Sequence, residues 1–269
     1  MTAGYARAAR YDLIRPDAEE LLVAVHGLTG SRGQVLTYTE GITRVGVLAP
    51  DLRGHGETAF AGEPDDFTPE QLAEDVEDLC DRLGLAGRAV HVLGVSLGAV
   101  VAAELAVRSH LEVRSAVFVR PAHTAEPSPA HLTGNLVVAD LLEADAQTAS
   151  ARLLDTTEYR RIANRSPSTA ANLREKAEGR RMPEQVWLLR RGTSWTAIDR
   201  LASLPRTVDA LVVAAEGDPL HPVGVADAWS AAVPRSGYAT VPGRDAGRDV
   251  HVRAVREQVR VFLEDRDRS

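Results

Sequence analysis

The segment from Val90 to Val101 contains a serine that its neighbours prepare for nucleophilic chemistry. It reads as a buried strand, a Gly-x-Ser-x-Gly turn and a helix of small apolar residues. A serine hydroxyl attacks well only when it is exposed beside a base, and a sharp strand-to-helix turn exposes it in this way. Gly94 and Gly98 permit the tight turn because they lack a Cβ. The positive N-terminal end of the helix faces the same point. We therefore predict that Ser96 is a nucleophile.

Apolar runs of strand length recur along the chain and alternate with helical patterns. Thr68 and Pro69 predict the start of an amphipathic helix, because they suit its cap and first turn. A last helix is predicted over 250–265, with apolar residues on one face. The strand-like runs cover 21–25, 45–49, 90–95, 116–119, 210–214 and 238–241. This alternation predicts an α/β fold with a mostly parallel, doubly wound sheet.

The alternation breaks down in the middle of the chain. From about 121 to 206, helical patches are separated by proline, serine and threonine. We interpret this region as a helical cap inserted into a core made of 1–120 and 207–269. A cap between two strands of a parallel sheet is expected over the carboxyl edge of the strands, where such sheets bind ligands.

Composition excludes several classes of partner. The net charge of −7 and pI near 5.7 leave no basic groove for nucleic acid. Cys80 is the only cysteine, so no internal disulfide can form. We find no apolar run of the length of a signal peptide or a membrane span. These features predict a cytoplasmic protein with a small-molecule substrate, no membrane partner, no metal and no cofactor, and they leave the oligomeric state open.

Four motifs, taken in their order along the chain, resemble the α/β-hydrolase superfamily of the serine hydrolase or esterase type. They are His26-Gly27 after a strand, Asp51 to Gly56, the turn around Ser96, and Glu216 to Pro222. The resemblance covers most of the chain outside 121–205. It implies that the backbone N–H groups of Leu28 and Leu97 form an oxyanion hole. It also implies that Asp218 is the acid that orients a catalytic histidine.

The position of that histidine departs from the family pattern. The family order requires it in the loop after the last strand, and the resemblance places it at Ala246, whose methyl group cannot accept a proton. Three alternatives stay open. Ala246 replaces a catalytic histidine and inactivates the chain; the protein is a natural non-hydrolytic relative that binds a ligand or catalyses a non-acyl reaction; or His251 is the base. We expect His221 to be structural, because its turn should aim it elsewhere.

The resemblance implies an ester, thioester or lactone substrate that is cleaved through an acyl-enzyme on Ser96. The residues predicted to bind it are His26, Gly27, Trp187 and Trp195, although packing of the cap onto the core explains the two tryptophans equally well.

Between 147 and 206, twelve basic residues stand against six acidic ones. One hypothesis is that Arg160, Arg161, Arg190 or Arg191 points into the cavity and contacts an anionic group of the substrate. The alternative is that these arginines pair with acids on solvated helix faces.

Overall fold

Seven strands form one sheet in the computed structural model, which describes residues 3–59, 62–178 and 184–264. The strand order is β1-β3-β2-β4-β5-β6-β7, with β1 antiparallel to β3 and all other neighbours parallel. The predicted mostly parallel sheet is therefore confirmed. The strands are β1 (Tyr11–Ile14), β2 (Glu20–Val25), β3 (Gly46–Pro50), β4 (Ala89–Val95), β5 (Glu112–Val119), β6 (Asp209–Ala215) and β7 (Ser236–Val241).

Helices connect the strands and cover both faces of the sheet. In the ranges that the structure describes, they are α1 (Ala3–Ala8), α2 (Arg32–Thr39), α3 (Pro69–Arg82), α4 (Leu97–Arg108), α5 (Thr133–Asp145), α6 (Ala149–Leu153), α7 (Thr157–Ala163), α8 (Pro167–Lys176), α9 (Glu184–Ser194), α10 (Ile198–Leu201), α11 (Val223–Ala232) and α12 (Arg248–Glu264). Within these same ranges, none has both the length and the apolar character that crossing a bilayer requires.

Two apolar cores lie on opposite faces of the sheet. On β2, Leu21 and Val23 pack into the core under α3, α4 and α11, whereas Leu22 and Ala24 pack into the core under α2 and α12. Successive side chains of a strand point to opposite faces, so a continuous apolar run is what a strand covered on both faces requires. The helix predicted at Thr68 begins there, since the Thr68 hydroxyl accepts a hydrogen bond from the N–H of Gln71 at 3.1 Å.

Helices α5 to α9 lie between β5 and β6 in the chain, in the region interpreted as a cap. They share an apolar cluster of their own, which includes Val138, Leu142 and Leu173. From Trp195 to Leu204, the apolar side chains pack instead into the core that contains α4 and α11. The division into a core of 1–120 and 207–269 and a cap of 121–206 stays a prediction.

Candidate active site

Ser96 occupies the turn between the end of β4 and the start of α4. Its φ of 56° and ψ of −115° are strained for a residue with a side chain. The turn depends on both flanking glycines. A Cβ on Gly94 would lie 2.1 Å from the carbonyl oxygen of Gly98, and a Cβ on Gly98 would lie 2.4 Å from that of His26. The backbone therefore closes tightly only because these two side chains are absent, and it presents Ser96 at the carboxyl edge of the sheet.

His221 joins Ser96 to Asp218. Its Nε2 lies 2.8 Å from the Ser96 hydroxyl, and its Nδ1 lies 2.9 Å from Oδ2 of Asp218. An ionised carboxylate can only accept hydrogen bonds, so Nδ1 carries the proton. Nε2 of the neutral ring is then free to accept the hydrogen bond from Ser96. This arrangement has the order of a nucleophile, a base and an orienting acid.

The turn that follows β6 directs His221 back towards the carboxylate. Gly217 adopts a φ of +69°, and Oδ1 of Asp218 accepts a hydrogen bond from the N–H of Leu220 at 3.1 Å. The N–H of His221 donates to the Asp218 carbonyl at 3.3 Å, which closes a tight turn. The expectation that this turn aims His221 elsewhere is therefore wrong, because side-chain capping by Asp218 brings the imidazole onto its own carboxylate.

The structure also corrects both expectations for a base after β7. Ala246 lies exposed on a single 3-10 turn, Arg244–Ala246, while His221 occupies the place beside Asp218. His251 is buried in α12, where Nδ1 donates to the Pro242 carbonyl at 2.8 Å and Nε2 lies 3.2 Å from the Tyr38 hydroxyl. Both ring nitrogens of His251 are thus engaged in contacts that join α12 to α2 and to the loop after β7.

A buried arginine contacts the Asp218 carboxylate. Arg120 follows β5 with a φ of +47°, and its Nη1 lies 3.0 Å from Oδ2 of Asp218. Burial opposes ionisation of Asp218, but the hydrogen bond from His221 and the charge of Arg120 hold its pKa well below the ordinary value. Burial lowers the pKa of His221 to about 4, although Asp218 acts in the opposite direction. The pair therefore consists of a carboxylate and a neutral imidazole at neutral pH.

A small cavity of about 80 Å³ opens beside Ser96. Gly27, Leu28, Ser96 and Leu97 line it, so the predicted oxyanion-hole residues and the predicted nucleophile face one space. His26 does not line this cavity. It is fully buried, where Nδ1 donates to the Gly27 carbonyl at 2.8 Å and Nε2 accepts from the N–H of Leu52 at 3.0 Å. His26 thus stabilises the loop after β2. Its side chain does not reach the Ser96 cavity, so the structure does not support the predicted contact of His26 with substrate.

The two tryptophans predicted to bind substrate lie outside this cavity. Trp195 packs against Phe67, with ring centroids 5.1 Å apart, and it lines a separate surface groove. Trp187 is half-buried on α9 and is absent from the cavity wall. Helix α9 contributes Gly192, and not Trp187, to the wall of the Ser96 cavity.

The four arginines of the predicted cap pair with acids at the surface. Each is partly exposed, with 40 to 63% of its side-chain surface accessible. The pairs are Arg160 with Asp155, Arg161 with Glu158, Arg190 with Asp140 and Glu143, and Arg191 with Asp65. The hypothesis that one of them serves the Ser96 cavity is therefore wrong, and the alternative of solvated helix faces describes them.

Other cations line the cavity, and sequence reasoning missed them. Arg120, Lys176 and Arg244 share its wall with His123. Burial lowers the pKa of Lys176 to about 8, and the charge of Arg120 together with burial lowers that of Arg244 to about 10. Burial also lowers the pKa of His123 to about 4, and its Nε2 donates to the Gly192 carbonyl at 2.7 Å. One signal was visible, since Lys176 is the only lysine of the sequence.

Known proteins share this fold. A family model described as alpha/beta hydrolase fold matches residues 20–251. A hydrolase from Oleispira antarctica superposes with a TM-score of 0.75 at 13% identity, over 98% of this chain and 97% of that one. A thermophilic esterase from Thermogutta terrifontis superposes with a TM-score of 0.66 at 21% identity, over 96% and 92%.

Among curated sequences, a probable alcohol acetyltransferase of Wickerhamomyces anomalus is 35% identical over 130 residues. That match covers 44% of this chain and 37% of the relative. The chain spans less than half the length of the curated relatives it matches.

Proposed function

The chain belongs to the α/β-hydrolase fold family, and from this premise we propose that it is a serine hydrolase that cleaves a small ester-like substrate through an acyl-enzyme. One observation carries the proposal: His221 lies within hydrogen-bond distance of both the Ser96 hydroxyl and the Asp218 carboxylate. A nucleophile, a base and an orienting acid in this order are the parts that acyl transfer requires.

In the proposed reaction, His221 accepts the proton of Ser96 as its oxygen attacks the substrate carbonyl carbon. The carbonyl oxygen becomes an oxyanion, which the N–H groups of Leu28 and Leu97 stabilise. As the intermediate collapses, the bond to the leaving group breaks and His221 gives that group its proton. Water, activated by the same imidazole, then attacks the acyl-enzyme and releases the acid and free Ser96. Asp218 stabilises the imidazolium at each stage, and Arg120 keeps Asp218 ionised.

The cavity favours a short acyl group. The space beside Ser96 is about 80 Å³, much smaller than the adjoining groove of about 720 Å³, which supports a short acyl part. Esters, thioesters and lactones with small acyl parts fit this space, and all react through the same acyl-enzyme.

A fluorophosphonate probe tests the proposal, because it labels only an activated serine. We expect covalent labelling of the protein as isolated, its loss in Ser96→Ala, and its retention in Ser194→Ala. Ser194 is a matched control, since its exposed hydroxyl donates to a backbone carbonyl at the end of α9. No labelling of the folded protein would contradict the proposal and favour a non-hydrolytic relative that binds a ligand or catalyses a non-acyl reaction.

A second candidate function is acyl transfer to an alcohol. The relative that favours it is named a probable alcohol acetyltransferase, and an alcohol can replace water at the second step. Turnover of p-nitrophenyl acetate in the presence of ethanol distinguishes the two functions. A transferase forms ethyl acetate as its main product, whereas a hydrolase forms acetate.

A further inference from the structure

One wall of the Ser96 cavity is built from cations. Arg120, Lys176 and Arg244 line this cavity, and all three also line an adjoining outer groove of about 720 Å³. They therefore stand at the junction between the nucleophile and a larger space that is open to solvent.

The charges at this junction do not balance. The Asp218 carboxylate accepts hydrogen bonds from Arg120 and His221. Among the described residues that line the Ser96 cavity, there is no aspartate or glutamate. Lys176 is buried and donates to a neutral amide oxygen, Oδ1 of Asn135, at 2.9 Å. The charge of Asp218 compensates that of Arg120, so the wall holds two further positive charges, on Lys176 and Arg244.

Uncompensated charge in a buried site is unfavourable unless a counter-charge arrives. Two acids outside the cavity, Glu175 and Asp245, offset these charges only in part, since the pKa values of Lys176 and Arg244 stay lowered. Glu175 is exposed on the rim of the outer groove, and Asp245 is bonded to Ser166 and the backbone N–H of Ser168. The Nε of Arg244 is itself buried without a hydrogen-bond partner among the described residues. A bound anion would complete this arrangement.

We propose that Lys176 and Arg244 form an anion subsite beside Ser96, which binds a carboxylate or phosphate group carried by the substrate. The description of the bound molecule as a substrate rests on the proposed function, whereas anion binding does not. The acyl carbon lies at Ser96 in the small cavity, the anionic group lies at the junction, and the remainder of the molecule extends into the outer groove.

A matched pair of esters tests the subsite kinetically. Mono-p-nitrophenyl succinate and p-nitrophenyl butyrate carry four-carbon acyl chains and the same leaving group, but only the first has a carboxylate. We expect a higher kcat/KM for the succinate ester. Because a charge-assisted hydrogen bond is lost, Lys176→Met and Arg244→Gln should each lower the succinate-to-butyrate ratio by about 10-fold or more.

Arg160→Gln is the charge-matched control. It removes one cation of the cap, which lies on the surface with 63% of its side chain exposed, and should leave the ratio unchanged. Circular dichroism establishes that each variant is folded, and Lys176→Gln replaces Lys176→Met if the latter is not. A ratio near one in the unmodified protein, or an equal ratio in all folded variants, would overturn the subsite.

Calorimetry separates failure of the subsite from failure of the proposed function. Succinate and inorganic phosphate are titrated into Ser96→Ala, which cannot react. We expect at least one of the two anions to bind, and the tighter one shows whether the subsite prefers a carboxylate or a phosphate. Binding should weaken in the double variant that combines Ser96→Ala with Lys176→Met. If neither ester is turned over but an anion binds in this way, the hydrolase proposal fails and the subsite stands. If neither anion binds, the subsite is overturned whatever the esters show.

Discussion

At the scale of single residues, the surroundings of His221 keep its imidazole neutral. Burial lowers its pKa to about 4, and Arg120 and Arg244 act in the same direction while Asp218 opposes them. A general base works only in its unprotonated form. We therefore predict that kcat/KM for p-nitrophenyl acetate rises through an acid limb below pH 6.5, the ordinary value for histidine, and is flat above it. A limb centred at or above 6.5 would contradict this assignment.

The pH at which this acid limb lies should also depend on the charge of Arg244. A nearby cation disfavours the imidazolium, so its removal in Arg244→Gln should raise the pKa of His221 and move the acid limb to higher pH. The pH profile of kcat/KM measures this shift, and Arg160→Gln should leave the limb in place. A limb that stays fixed or moves to lower pH in Arg244→Gln would show that Arg244 does not act on the base.

Some of these residues could be predicted from sequence and others could not, for a physical reason. Ser96 is fixed by local backbone geometry, which the glycine spacing encodes. His221 depends on the direction of a side chain in an Asx-type turn, and the sequence pattern does not specify that direction. Lys176 and Arg244 meet only through the packing of α8 against the loop after β7, so their proximity is a property of the tertiary structure.

At the scale of elements, the strand-to-helix turn depends on a close backbone approach. Ala at position 94 would place its Cβ 2.1 Å from a backbone oxygen of the first turn of α4. We predict that Gly94→Ala lowers the free energy of unfolding by about 3 kcal/mol or more, because backbone must move to relieve the clash. Urea denaturation measures this change.

Gly224→Ala is the control for that measurement. Gly224 lies in α11, where a Cβ would meet no atom within 4 Å and φ is not positive. Alanine forms helix better than glycine, so this variant should be unchanged or stabilised by up to about 1 kcal/mol. Equal denaturation midpoints for the two alanine variants would contradict the proposed clash.

The strands that are covered on both faces could be predicted closely from their apolar runs. The prediction places β5 at Ala116 to Val119, but the strand begins at Glu112. Its first three residues, from Glu112 to Arg114, are exposed or partly exposed, so they lack a continuous apolar pattern. The edge strand β1 was missed for a similar reason, since none of its four residues is fully buried.

At the scale of the whole molecule, helix α9 packs against the two leucines of the predicted oxyanion hole. A Cβ on Gly192 of α9 would lie 2.8 Å from Cδ1 of Leu97 and 3.0 Å from Cδ1 of Leu28. We predict that Gly192→Val displaces α9 and these leucines, and lowers kcat/KM by about 10-fold or more because small displacements of catalytic groups are costly. Steady-state kinetics with p-nitrophenyl acetate would contradict this close fit if the folded variant kept full activity.

The central claim is that His221 is the base of this molecule, and one comparison of kcat/KM tests it most directly. His221→Ala and His251→Gln are measured against the unmodified protein with p-nitrophenyl acetate, after circular dichroism has shown that both are folded. Loss of a base from a serine triad typically costs about a thousandfold or more in turnover. We predict such a loss in His221→Ala and near-normal activity in His251→Gln. Activity that survives in His221→Ala and is lost in His251→Gln would contradict the claim.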